Sequence, residues 1–180
     1  YQRYIDSIKA GNEFYNRIYK LFNEKYQSKT VFHVGKITAG TASNIVADKA
    51  QYDCTFRFFD ENIQEDFMMR LEEILIDVEN LTGAIHRVIV ENYYPPLINS
   101  IHIIQMLKNK FDIIQAQPKY TAEDFAYYLK KTSGAFAWLG IKDENHIAPL
   151  HNDKFDFDEK ALLIGLNYYI KIAQNSLVQQ

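Results

Sequence analysis

The chain has 180 residues, with 20 Lys and Arg against 23 Asp and Glu, a formal charge of −3 and 47% apolar residues, enough to bury a core in one large domain or two small ones. Both signs of charge are interspersed, so no basic stripe exists to grip a phosphate backbone, and nucleic acid is excluded as an expected partner. No apolar run approaches the ~18 residues needed to cross a bilayer, and lone Cys54 can form no internal disulfide, so no membrane partner is expected and the expected compartment is a reducing cytoplasm. Taking the chain in order, Tyr4, Ile8, Tyr15, Ile18, Phe22 and Tyr26 recur at helical spacing and predict a helix from about Arg3 to Gln27. Thr30 to Ile37 reads as a β-branched strand, and Ala39-Gly40-Thr41-Ala42-Ser43-Asn44 as a loop of small residues. From Ala50 to Phe58 the alternation is strict: Ala50, Tyr52, Cys54, Phe56 and Phe58 face one way, and Gln51, Asp53, Thr55 and Arg57 the other.

Asp60 caps a second predicted helix with the stripe Ile63, Phe67, Leu71, Ile74, Leu75, Val78 and Leu81, and Gly83 stands where a helix stop belongs. Ala84 to Glu91 reads as a further strand. The order α-β-β-α-β is a ferredoxin-like split β-α-β unit without its first strand. The chain also begins at Tyr1 rather than Met. Both features predict a piece of a longer protein, whose complete sheet has four antiparallel strands with both helices on one face and of which three strands are expected here.

Consecutive prolines in Tyr93-Tyr94-Pro95-Pro96 cannot enter a central strand, which puts a domain boundary near Pro96. Beyond it come a helix capped by Asn99, a short strand at Asp112 to Gln115, a helix opened by Thr121 and running to about Lys131, an apolar strand from Ala135 to Leu139, and a last helix from Asp158 to about Asn175. Helices alternating with strands predict an α/β layer. Two strands with three helices are too thin to stand alone in that class.

Among the histidines, His33, His86 and His102 fall inside predicted elements and read as structural. His151 lies in a loop between an apolar strand and a helix, where α/β sheets place their ligand sites. His146 is a weak companion. Glu123-Asp124 reads equally well as an acid pair or as part of a capping box opened by Thr121, since acids in a first turn suit the helix dipole. Arg57 reads as a surface ion-pair partner or as a two-pronged carboxylate clamp. Asn44 in its small-residue loop fits a left-handed turn position.

In order, Gly40-Thr41-Ala42-Ser43-Asn44-Ile45-Val46-Ala47-Asp48, Thr55-Phe56-Arg57, Tyr94-Pro95-Pro96-Leu97-Ile98-Asn99, Glu123-Asp124-Phe125, Pro149-Leu150-His151 and Phe157-Asp158-Glu159 together resemble the two-metal amidohydrolases. These include hippurate hydrolase, aminoacylases, N-acetyl-diaminopimelate deacetylase and related carboxypeptidases. The resemblance runs from about Val31 to Ala173 and departs at Ala47, where the family usually has proline. It implies an α+β lid and dimerisation domain at residues 1–93, incomplete at its N-terminus, and the C-terminal part of an α/β zinc-peptidase-like catalytic domain at residues 94–180.

It further implies hydrolysis of the amide bond of an N-acyl amino acid or short peptide by metal-activated water. The cofactor would be two divalent metals, usually zinc, with manganese or cobalt as alternatives, and the enzyme a homodimer through the lid. By resemblance His151 matches a metal ligand, Asn44 and Arg57 the lid residues holding the substrate's polar groups and carboxylate, and Glu123-Asp124 the acidic helix start lining the substrate pocket. The Cys-Gly-His-Asp motif, the Glu-Glu pair with the catalytic base and the lid histidine have no counterpart here. The expectation is therefore that this chain contains no catalytic residue of its own, binds little or no metal and is inactive alone. The competing reading is a non-enzymatic ferredoxin-like dimerisation or small-molecule-binding module.

Overall fold

The computed structural model describes residues 4–177. Helix α1, Ser7–Leu21, begins where the Asp6 carboxylate accepts hydrogen bonds from the backbone N–H groups of Ile8 and Lys9, satisfying two donors that a helix start leaves open. Its predicted start at Arg3 lies outside the described residues. After Leu21 the chain continues as a π-helical turn, Phe22–Tyr26, in which the N–H of Gln27 reaches back to Phe22 O at 2.9 Å. Strands β1, Val31–Ala39, and β2, Ala50–Arg57, form an antiparallel hairpin in which Val31 pairs with Arg57 and Ala39 with Ala50. A bulge between Val34 and Lys36 leaves Gly35 without a partner, and there the Val34 N–H donates to Tyr19 Oη at 3.1 Å. Cys54, on the face of β2 read as buried, is exposed, although Tyr52 and Phe56 on either side of it pack against the core.

Helix α2, Glu61–Thr82, has Asp60 accepting from Asn62 N at its start and Gly83 in the left-handed conformation, φ 77°, at its end, as the cap and stop residues predict. Helices α1 and α2 pack on the same face of the hairpin. Phe32 of β1 contacts Tyr19 and Phe22 on one side and Phe67 of α2 on the other, with centroids 5.5, 5.7 and 5.3 Å away. Its strand partner Phe56 stacks on Phe67 at 4.0 Å. The core is this aromatic cluster with Ala10, Phe14, Ile18, Tyr26 and Val78. Ile18 and Phe67 are sealed at 0% and 1% exposure, each such side chain stabilising by about 1.5–3 kcal/mol.

Three predicted strands do not form. Residues 84–91, 112–115 and 135–139 have no regular secondary structure, so the sheet of the described residues has two strands, not three. Among the described residues no further strand stands beside residues 84–91, so this β-rich segment has no ladder to join. Ile85, Val88, Ile89 and Val90 are accordingly exposed. The segment is held at its start by α2: the His86 N–H donates to Glu79 Oε1 at 2.7 Å, and the ring Nε2 lies 2.9 Å from Glu72 Oε1.

Helix α3, Ile101–Lys108, has Ser100 rather than Asn99 at its cap position. Helix α4 is a single turn, Phe125–Leu129, shorter than the predicted Thr121 to Lys131. The chain divides into two compact units, Tyr1–Ala135 and Phe136–Gln180. In the second, helix α5, Lys160–Leu177, is opened by Asp158, whose carboxylate accepts from Lys160 N and whose carbonyl accepts from Ala161 N. Among the described residues no helix is long and apolar enough to cross a membrane.

Candidate functional site

Arg57 closes β2 on the polar face that its place between Phe56 and Phe58 requires, and it is exposed. Its Nη1 donates to the backbone carbonyl of Tyr120 at 2.7 Å, across 63 residues of sequence. The Tyr120 ring in turn stacks on Phe59, with centroids 4.2 Å apart and planes at 23°. Tyr120 is thus held by two side chains, those of Arg57 and Phe59, at the end of β2.

Four residues after Arg57, Glu61 forms a second junction. Its Oε1 accepts from Tyr93 Oη at 2.5 Å and from Lys130 Nζ at 2.6 Å, while Tyr127 Oη donates to Tyr93 O. Lys130 first, then Tyr93, holds the Glu61 carboxyl below its usual range. Burial, and then the Glu61 carboxylate, pushes the Tyr93 hydroxyl up to about 12. Both members of the Glu61–Lys130 pair are more than two-fifths exposed, so the pair contributes at most about 1 kcal/mol. No spacing in the sequence signals this junction, because its members are scattered between positions 61 and 130.

Glu123 and Asp124 follow Tyr120 closely, so the structure brings them toward the Arg57 end of the hairpin. Their backbone carbonyls accept from Ala126 and Tyr127, and the Glu123 side chain makes only a long contact of 3.4 Å to Phe125 N. The two acids therefore begin the α4 turn, although the cap residue Asp124 makes no side-chain cap bond.

Asn44 is exposed in the loop at the other end of the hairpin. That loop docks on the start of α1, where Ser7 N–H and Oγ–H donate to Ala47 O and Asp48 O at 3.0 and 2.8 Å. Ala47, the position where proline was expected, is buried at 4% exposure. At about 3.3 Å per residue, β2 puts roughly 23 Å between the loop end and Arg57. Asn44 and Arg57 therefore mark opposite ends of one hairpin.

In the second unit His151 is exposed, on a turn closed by Asn152 N–H to Pro149 O at 3.2 Å. Its φ of 67° is the single positive value among described non-glycine residues. Such a backbone costs on the order of 1–2 kcal/mol for an L-residue and concentrates at functional positions. His146 is engaged separately: its Nδ1 lies 2.8 Å from both Asp143 carboxylate oxygens, which raises the imidazole's affinity for a proton and lowers that of the carboxyl. Among the described residues no three His, Cys, Asp or Glu side chains are grouped to hold a metal ion. The donors described in this chain thus do not by themselves fit a two-metal centre.

Residues 2–81 match a family model described as a peptidase dimerisation domain. A thermostable carboxypeptidase of Saccharolobus solfataricus is 28% identical over 89% of this chain and 43% of its own length. An N-acetyldiaminopimelate deacetylase of Lactococcus lactis is 30% identical over 87% of this chain and 43% of its own length. In structure, a Bacillus subtilis protein described as a dinuclear metal-binding peptidase of the M20 family superposes with a TM-score of 0.73 at 24% identity, over 92% of this chain and 44% of that one. The chain spans less than half the length of these relatives. The chain is thus similar to an M20 peptidase dimerisation domain over residues 2–81 and, over most of its length, to proteins named as an amidohydrolase, a carboxypeptidase and a deacetylase.

Proposed function

We propose that this chain is part of a cytoplasmic, metal-dependent hydrolase that cleaves the amide bond of an N-acyl amino acid or short peptide, with residues 1–93 as lid and homodimer contact and residues 94–180 as part of the catalytic domain. The observation that carries the reading is similarity along almost nine-tenths of the chain to proteins named as a carboxypeptidase and a deacetylase, both of which hydrolyse a C–N bond. The chemistry of the described residues agrees with a supporting share in that reaction. Arg57 offers an exposed cation for a substrate carboxylate, Asn44 a polar side chain on the lid loop, and Glu123 and Asp124 an acidic turn beside Tyr120. His151 offers one imidazole on a strained turn. Zinc held with several donors is bound far more tightly than by one, so the remaining ligands of two zinc ions, or of manganese or cobalt, must come from outside the described residues.

The test is elemental analysis together with hydrolysis of N-acetyl and N-benzoyl amino acids. The complete polypeptide is expected to hold two metals per subunit and to turn over, and His151→Ala to lose both activity and bound metal. This chain alone is expected to do neither. Turnover or a stoichiometric zinc on the chain alone would sink the proposal.

A further inference from the structure

We propose that Tyr120 is the positioning residue for Arg57, an inference that rests on the reading of Arg57 as the substrate-carboxylate clamp. A guanidinium carries five N–H donors in one plane, and its Nε–Nη2 edge is suited to two parallel bonds to a carboxylate. The 2.7 Å bond from Nη1 to Tyr120 O occupies the opposite corner and leaves that edge unused. Among the described residues no carboxylate is paired with Arg57, so the cation is oriented without being neutralised.

The Tyr120 carbonyl is available for this because the chain turns tightly around it: Thr121 N–H bonds Lys119 O at 2.9 Å, which leaves the Tyr120 oxygen outside the turn. The ring fixes the carbonyl's position through its stack on Phe59. A flexible arginine loses rotamer freedom when it binds, and pre-setting the fork removes part of that loss before substrate arrives.

The effect is read in the complete, metal-loaded enzyme as the ratio of kcat/KM for an N-acetyl amino acid to that for its neutral carboxamide. Arg57→Ala is expected to lower the ratio on the order of 10- to 100-fold, the range of a charge-assisted pair. Tyr120→Ala and Phe59→Ala, which release the carbonyl from its two sides, are expected to lower it roughly fivefold through KM, with kcat within about twofold. Tyr120→Phe keeps the stack and is expected to keep the ratio. An unchanged ratio in Tyr120→Ala and Phe59→Ala, with a collapsed one in Arg57→Ala, overturns the positioning role alone. An unchanged ratio in Arg57→Ala overturns the clamp itself.

A second readout needs no activity. In this chain the Arg57 guanidinium is expected to show restricted rotation by nitrogen-edited NMR, lost in Tyr120→Ala; free rotation in the unaltered chain would refute the inference.

Discussion

Gly11→Ala is expected to destabilise this protein, although helix propensity predicts the reverse. Gly11 lies inside α1, where Ala is better than Gly by about 1 kcal/mol. A Cβ built there would lie 2.3 Å from Tyr52 Oη and 2.7 and 2.8 Å from two atoms of its ring. The ring has little room to yield, because Phe14 meets it edge-on at 5.6 Å and its strand lies under the helix. Overpacking of this kind costs about 1–3 kcal/mol, so the net expectation is a loss of roughly 1 kcal/mol.

Urea unfolding followed by circular dichroism reads this directly. With a slope of about 1–3 kcal/mol per molar, the midpoint should fall by on the order of 0.5 M. In a Tyr52→Val background the obstructing ring is gone, and the same glycine substitution should then raise the midpoint. The sign reversal corresponds to a coupling of about 2 kcal/mol between the two sites, within the range seen for residues in contact. A single Gly11→Ala variant that is more stable than its parent, or a double variant whose effects simply add, refutes the packing argument.

Phe67→Ala removes the ring on which Phe56 stacks and which Tyr26 and Phe32 flank, and should lower unfolding stability by about 3–5 kcal/mol; a loss below about 2 kcal/mol would mean that the cluster collapses into the space. Asp6→Ala removes the acceptor of two backbone N–H hydrogen bonds at the start of α1 and should cost about 1 kcal/mol, measurable as a lower thermal midpoint. The His146–Asp143 pair gives a pH prediction with a definite sign. Its histidine titrates above the usual range and its carboxyl below it, so the pair's contribution is complete between the ordinary Asp and His values, near 4 and 6.5. It is lost as pH rises through the raised histidine value and as pH falls through the lowered carboxyl value. Asp143→Asn should move the His146 imidazole titration, followed by NMR, downward toward the ordinary value; an unmoved midpoint would show that the carboxylate is not its cause.

The elements legible in the sequence are those whose signal is local. Helices α1 and α2 follow from one-sided apolar stripes, and the ends of α2 from the chemistry of Asp60 and Gly83. The hairpin follows from β-branched and alternating runs around a loop of small residues. The ordered motifs were likewise legible, and with them the resemblance to the named hydrolases. What the tertiary structure decided are the properties that need a partner. Ala84 to Glu91 has a strand's composition but no described neighbour to complete a ladder, and the same holds for Asp112 to Gln115 and Ala135 to Leu139. Cys54 reads as buried by its place in an alternating strand, yet it is exposed while Tyr52 and Phe56 beside it pack against the core. Arg57 reads from sequence as either an ion-pair partner or a clamp, and the carbonyl that orients it lies 63 residues away. A period of 2 or 3.6 residues reports which face a side chain takes, but not what lies opposite that face, because that contact exists only after the chain has closed the intervening loop.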